Sequence, residues 1–261
     1  MPSILTQTDL ENAFRALGVT AEQTVMAHVS LSRLGFVVGG AEAVIRALLG
    51  TVGEDGTVMT PAQSWKNLDP ETGVHGDVPE AWYPVIRDNW PAYDPEITPT
   101  NTMGAVAEMF RRWPGTVRSA HPARSVAANG KWAAYLTKKH TLSDIFGEGS
   151  PLARLYALDG YVLLLGVGYD KNTSLHLADA RASYPQKHTV TEHSAVTEGG
   201  RRVWKAYETL YVDGADFDRI GEAFEQTGTV RRMRIGDAEA RLMPQRALVD
   251  FAVDWIEKNR R

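Results

Sequence analysis

His176 and Asp179 stand three residues apart in the stretch NTSLHLADARASYP, directly after a long apolar run. On a helix, that spacing places both side chains on one face, a turn apart. A carboxylate beside one imidazole nitrogen would fix the ring's tautomer and favour its protonated form, leaving the other nitrogen to take a proton from a substrate. The same spacing also fits an ordinary surface pair. No metal is expected, because no second histidine lies at a matching interval on this helix. A second group runs His28, Ser30, Leu31, Ser32, Arg33, Leu34, Gly35, Val37, Gly39, Gly40. Hydroxyls, backbone amides and a helix start converge there, which suits a phosphate group or, equally, a solvated turn. The glycine spacing is neither that of a Walker loop nor that of a dinucleotide fingerprint. A third group is HPARS, with His121 and Ser125 four apart, although Pro122 biases His121 away from helical geometry.

The elements that must position these groups are legible in outline. TDLENAFRALG, residues 8–18, reads as a helix capped by Thr8 or Asp9 and closed by Gly18. TVMAHVSL (24–31) and GTVMTPA (56–62) read as short strands around the helical AEAVIRALLGTVG, which makes a βαβ unit and predicts a largely parallel sheet flanked by helices. GYVLLLGVG (160–168) reads as a central strand, apolar on both faces, so the loop GYDKNT lies at its carboxyl end, where open α/β sheets bind ligands. Asn172 or Thr173 can cap the helix that follows. Residues 63–102 hold six of the chain's 13 prolines and four tryptophan or tyrosine residues between 82 and 93, the composition of an insert serving as a lid rather than a loose connection. Helical spacing returns in MGAVAEMFRRW and KWAAYLTKKH, a hairpin is expected about Glu198 to Gly200, and two amphipathic helices close the chain. A single domain over 1–261 is the economical reading.

Composition narrows the classes. The 261 residues are 43% hydrophobic and carry a net charge of −4 from 28 basic and 32 acidic side chains, so no global field favours nucleic acid or an anionic membrane. Zero cysteines exclude a thiolate nucleophile, a disulfide framework and a cysteine zinc site. No apolar run reaches the roughly 18 residues of a membrane span, and the first residues lack the pattern of a signal peptide, so a soluble cytoplasmic protein is expected.

Taken together, three blocks carry a resemblance over nearly the whole chain: HVSLSRLGFVVGGAEAVIRALLGTVGEDGTVMTPA, PAYDPEITPTNTMGAVAEMFRRWPGTVRSAHPARSVAANG and SPLARLYALDGYVLLLGVGYDKNTSLHLADA. The sequence resembles the aminoglycoside 3-N-acetyltransferases, the antibiotic N-acetyltransferase family. The resemblance implies an α/β fold distinct from the common acetyltransferase fold, and transfer of acetyl from acetyl-coenzyme A to the 3-amino group of an aminoglycoside's 2-deoxystreptamine ring, conferring antibiotic resistance. It implies that the loop from Ser30 to Gly40 cradles the coenzyme, that His121 and Ser125 lie on the same channel, and that His176 is the general base, with His28 reaching the same cleft. Asp179, Asp94 and Asp77 are the candidates for holding substrate ammonium groups. The family commonly reads His-Leu-Ala-Glu where this chain reads His-Leu-Ala-Asp, so Asp179 is one methylene shorter. The small-molecule partners would be an aminoglycoside and coenzyme A, with a monomer or homodimer and no metal. Two alternatives are a relative acting on another amine and a non-catalytic coenzyme A-binding protein.

Overall fold

The computed structural model describes residues 3–260; residues 1, 2 and 261, the extremes of the expected domain, lie outside the described residues. After β1 (Ile4–Leu5), α1 (Gln7–Leu17) buries the stripe Leu10, Phe14 and Leu17. Its cap is Thr6 rather than Thr8 or Asp9: Asp9 N donates to Thr6 Oγ1 at 3.2 Å and Thr6 N donates to Asp9 Oδ2 at 2.9 Å, a reciprocal capping box. Gly18 closes the helix at φ 109°, a conformation that suits glycine.

The remaining elements are β2 (Thr24–Val29), β3 (Phe36–Val37), α2 (Gly40–Val52), β4 (Thr57–Pro61), α3 (Tyr83–Asn89), α4 (Gly104–Phe110), β5 (Val117–Arg118), β6 (Val126–Gly130), α5 (Ala133–Thr137), α6 (Pro151–Ala157), β7 (Tyr161–Leu165), α7 (Leu175–Arg181), β8 (Thr189–Glu198), β9 (Arg201–Leu210), α8 (Phe217–Glu225), β10 (Arg231–Ile235), β11 (Ala238–Pro244) and α9 (Gln245–Asn259). Seven strands form one sheet in the order β10-β11-β7-β2-β4-β6-β5. Within this sheet β7-β2 and β2-β4 pair in parallel. The pairs β10-β11, β11-β7, β4-β6 and β5-β6 are antiparallel, so the sheet is mixed and the expectation of a largely parallel one is corrected. Two of these four pairings come from β5 and β6, and the other two from the C-terminal pair β10 and β11. Its charged RRMRI segment hides a strand from a search for apolar runs, because an edge strand keeps half its side chains in water.

Alternation along the central strands divides the core into two layers. Val25, Ala27, Val58 and Leu163 face α1, α2 and α4, while Met26, Met59, Val162 and Leu164 face α5 to α9. Strands β8 and β9 form the expected hairpin, turned by Gly199 and Gly200 at φ 55° and 74°, the double positive φ that a two-residue hairpin turn requires.

The stretch 63–102 is pinned at both ends and docked in its middle. Asn101 N donates to Gln63 O at 2.8 Å, Ser64 Oγ donates to Pro99 O at 2.6 Å, and Tyr93 N donates to Ala195 O of the hairpin at 2.9 Å. Among the described residues, no helix is long and apolar enough to cross a membrane.

Candidate active site

The carboxyl ends of the three parallel strands open into a cavity of about 870 Å³, large enough for a sizeable ligand. His28 is the penultimate residue of β2, two beyond Met26, and so faces the α7 layer. Thr60 is the penultimate residue of β4, two beyond Val58, and faces the α2 layer. The cavity therefore wraps over the strand ends from one face of the sheet to the other. Its wall also holds Gln63 and Trp65 on one side and Asp170, Lys171, Asn172, His176 and Phe217 on the other.

On the α2 side, a 3-10 turn over Leu31–Arg33 and the sharp φ values of Gly35, Gly39 and Gly40 (88°, 84° and 57°) bring the loop against the helix start. Of the residues expected here, Ser30, Leu31, Ser32, Gly35, Val37 and Gly40 line the cavity. Arg33 and Gly39 stay exposed and outside the wall, and Leu34 is buried in the core as the loop's anchor. No side chain caps α2, and a Cβ at Gly40 would meet nothing within 4 Å, so the helix start has free amides and open space for a phosphate.

On the α7 side, His176 is clamped between rings. It stacks on Phe146 at 4.5 Å between centroids and meets Phe217 edge-on at 4.8 Å. Burial pushes its imidazole down to about 3, with the Arg124 and Arg260 guanidiniums adding to the effect, so the ring is neutral at physiological pH. Burial likewise pushes His28 down to about 4.

The expected partnership with Asp179 does not form. Asp179 is fully buried and outside the cavity wall, and its Oδ1 accepts from Tyr184 Oη and from Arg260 Nη1, each at 2.6 Å. His176 Nδ1 has no hydrogen-bond partner. The phenol of Tyr184, just beyond α7, and the guanidinium of Arg260, at the C-terminal end of α9, claim the carboxylate, which ties α7 to the end of α9 instead of orienting the imidazole or gripping a substrate. Asp179→Asn is accordingly expected to cost about 2 to 3 kcal/mol of stability, somewhat below the usual loss for a broken buried pair because Arg260 keeps Asp216 at 2.8 Å. Urea unfolding checks this: a change under about 0.5 kcal/mol, the range of surface substitutions, would make the tie dispensable.

Four further residues expected at the site stand outside the cavity wall. His121 is fully buried and outside the cavity wall; its Nδ1 accepts from Ala123 N and Arg124 N, so it organises the turn that Pro122 starts. Ser125, also fully buried, donates to Ala62 O at 2.7 Å and accepts from Arg118 Nε at 3.1 Å, a tie inside the core. Asp94 holds its own turn by accepting from Glu96 N at 2.8 Å, and Asp77 is exposed; neither lines the cavity.

Comparison with known proteins agrees with this architecture. The profile of the aminoglycoside 3-N-acetyltransferase family matches residues 26–257. The SPbeta prophage-derived aminoglycoside N(3')-acetyltransferase-like protein YokD of Bacillus subtilis is 39% identical over 255 residues, covering 97% of this chain and 93% of its own. Its crystal structure superposes with a TM-score of 0.95 over 98% of this chain and 95% of that one. Aminoglycoside N(3)-acetyltransferase VII of Streptomyces paromomycinus is 38% identical over 268 residues, covering 97% of this chain and 92% of its own. The structure of AAC-IIIb with CoASH superposes with a TM-score of 0.88 at 32% identity, covering 98% of this chain and 97% of that one. That of AAC-VIa bound to sisomicin does so with a TM-score of 0.88 at 31% identity, covering all of this chain and 99% of that one. Fold and relatives together define an acetyl-coenzyme A-dependent N-acetyltransferase. The chain belongs to the aminoglycoside 3-N-acetyltransferase family.

Proposed function

We propose that this enzyme acetylates the 3-amino group of the 2-deoxystreptamine ring of an aminoglycoside and thereby confers resistance, with His176 as general base. The observation that carries the reading is the single cavity joining an uncapped, glycine-led helix start at α2 to the neutral imidazole of His176. Serine hydroxyls and free amides at Ser30 to Gly40 suit the coenzyme's phosphates. The acetyl end then points across the strand ends, and the stretch 63–102 supplies Gln63, Trp65 and Thr102 to the acceptor side of the wall. A neutral imidazole keeps its lone pair available to take the proton of the attacking amine. Release of coenzyme A thiol with gentamicin-, tobramycin- and neomycin-like acceptors tests the proposal; no turnover on any of them removes the aminoglycoside part.

A second reading, acetylation of a less highly charged amine, is favoured by the charge of the wall. Its charged residues are Asp170 and Lys171, which pair with each other at 2.9 Å. A polycation normally meets several carboxylates. Faster turnover of a monoamine than of any aminoglycoside would decide for this reading.

A further inference from the structure

Four buried side-chain atoms in the cavity wall lack hydrogen-bond partners: His28 Nε2, Thr60 Oγ1, Asn172 Nδ2 and His176 Nδ1. Folded proteins rarely leave buried polar atoms unpaired, so such a cluster marks groups awaiting a ligand. Asn172 differs from the other three. A hydroxyl or a neutral imidazole can donate or accept, but the amide of Asn172 is oriented by its own backbone: Oδ1 accepts from Ser174 N at 3.2 Å, which leaves Nδ2 as a donor with both hydrogens unused. The residue is fully buried. It is held on both sides, with its N donating to Tyr169 O at 2.8 Å and its O accepting from Leu175 N at 3.1 Å. It precedes the base, His176, by four residues on the same segment. The buried Arg124 also has unpaired nitrogens, but it lies outside the wall and its charge is already met by Glu192 at 2.7 Å.

We propose that Asn172 is a catalytic residue whose side-chain amide donates to the thioester oxygen and holds the oxyanion formed during acetyl transfer. The acceptor nitrogen's lone pair forms the new C–N bond at the acetyl carbonyl, and the C=O π pair moves onto oxygen, where Asn172 Nδ2 meets it. His176 takes the proton from the attached nitrogen. The oxygen's pair then restores C=O, the C–S bond breaks, and the coenzyme leaves as a thiolate that receives the proton. A preorganised donor of this kind acts on the rate because it is aimed at charge that develops only in the transition state. The inference rests on the acetyl-transfer reading but not on which amine is the acceptor.

Asn172→Asp separates this role from the structural one. Aspartate keeps the acceptor that holds Ser174 N and replaces the donor with an oxygen. Expected are a fall in kcat of about 10²- to 10³-fold and a KM for acetyl-coenzyme A within about threefold of the parent enzyme, with a lower urea midpoint because the variant buries a carboxylate. Isotope-edited infrared spectra of carbonyl-labelled acetyl-coenzyme A bound to the unmodified protein provide a second readout that needs no acceptor and no variant. The thioester carbonyl band is expected to lie below its position in water and to return toward that position in Asn172→Asp. A band at the solution position in the unmodified protein, or a kcat for the variant within threefold of the parent enzyme's, overturns the role of Asn172. A shifted band without turnover of any aminoglycoside keeps the role and removes only the acceptor; failure to bind acetyl-coenzyme A overturns both.

Discussion

Replacing His176 with alanine is expected to lower kcat by about 10²- to 10⁴-fold while leaving the affinity for coenzyme A close to that of the parent enzyme. The loss is the contribution of a positioned base, and it falls on kcat because the imidazole meets the acceptor's proton only as the amine attacks. Coenzyme affinity should survive because the loop from Ser30 to Gly40 lies across the strand ends from α7. Alanine also vacates the space between Phe146 and Phe217, so His176→Gln, closer in volume, is the companion variant. Both should lose turnover, with glutamine closer to the parent in stability. A pH profile adds a second check. Burial already holds His176 neutral well below pH 6, so the acid limb of kcat/KM should track the acceptor's own amine rather than an imidazole near 6.5. Calorimetric titration with coenzyme A and steady-state thiol release measure the two quantities, and turnover within threefold of the parent enzyme would end the assignment.

What was legible in the sequence was what depends on near neighbours. The run Tyr161–Leu165 announces a central strand because both its faces are apolar, and the adjacent pair Gly199-Gly200 announces a hairpin because both positions need positive φ. The position of His176 followed from the strand before it. The surroundings of His176 did not, because they come from far along the chain. Phe146 and Phe217 meet its ring from segments 30 and more residues away, and Arg260, 81 residues on, captures the carboxylate expected beside it. His121 and Ser125 misled in the same way: a histidine and a serine near a turn look reactive until Ala62 and Arg118 claim the serine. Asn172 was expected as a cap for α7, but the helix begins after Ser174 and the Asn172 oxygen instead accepts from Ser174 N. That its free amide end would be buried unpaired in the cavity wall it shares with His176 became visible only when the fold closed around it.

Four buried histidines should make the protein acid-labile, and the sign follows from the direction of their shifts. Burial pushes His28 and His140 down to about 4 and His176 to about 3, and it holds His121 well below its ordinary value, helped by the charges of His140 and Arg124. In an unfolded chain each of these groups titrates near 6.5. Above about pH 7 both states carry them neutral, and they contribute no pH dependence. As pH falls below 6.5 the unfolded chain binds protons that the fold refuses, so stability falls with pH until the folded-state values near 4 and 3 are reached. Each group contributes roughly 1.4 kcal/mol per pH unit below 6.5, so the four together contribute about 5 per unit. Against a total stability of roughly 5 to 15 kcal/mol, unfolding is expected between about pH 4 and 5.5. The His121 and His140 rings lie 5.0 Å apart, which adds mutual repulsion if both become charged. Urea midpoints measured from pH 8 to 5 should be flat above pH 7 and fall steeply below 6. His140→Gln, which leaves amide groups where the imidazole meets Ser119 and Ile145 O, should reduce the slope by about one proton. Equal midpoints at pH 7.5 and 5 would mean that these imidazoles accept protons in the folded state, and a neutral His176 would then no longer stand behind the proposed base.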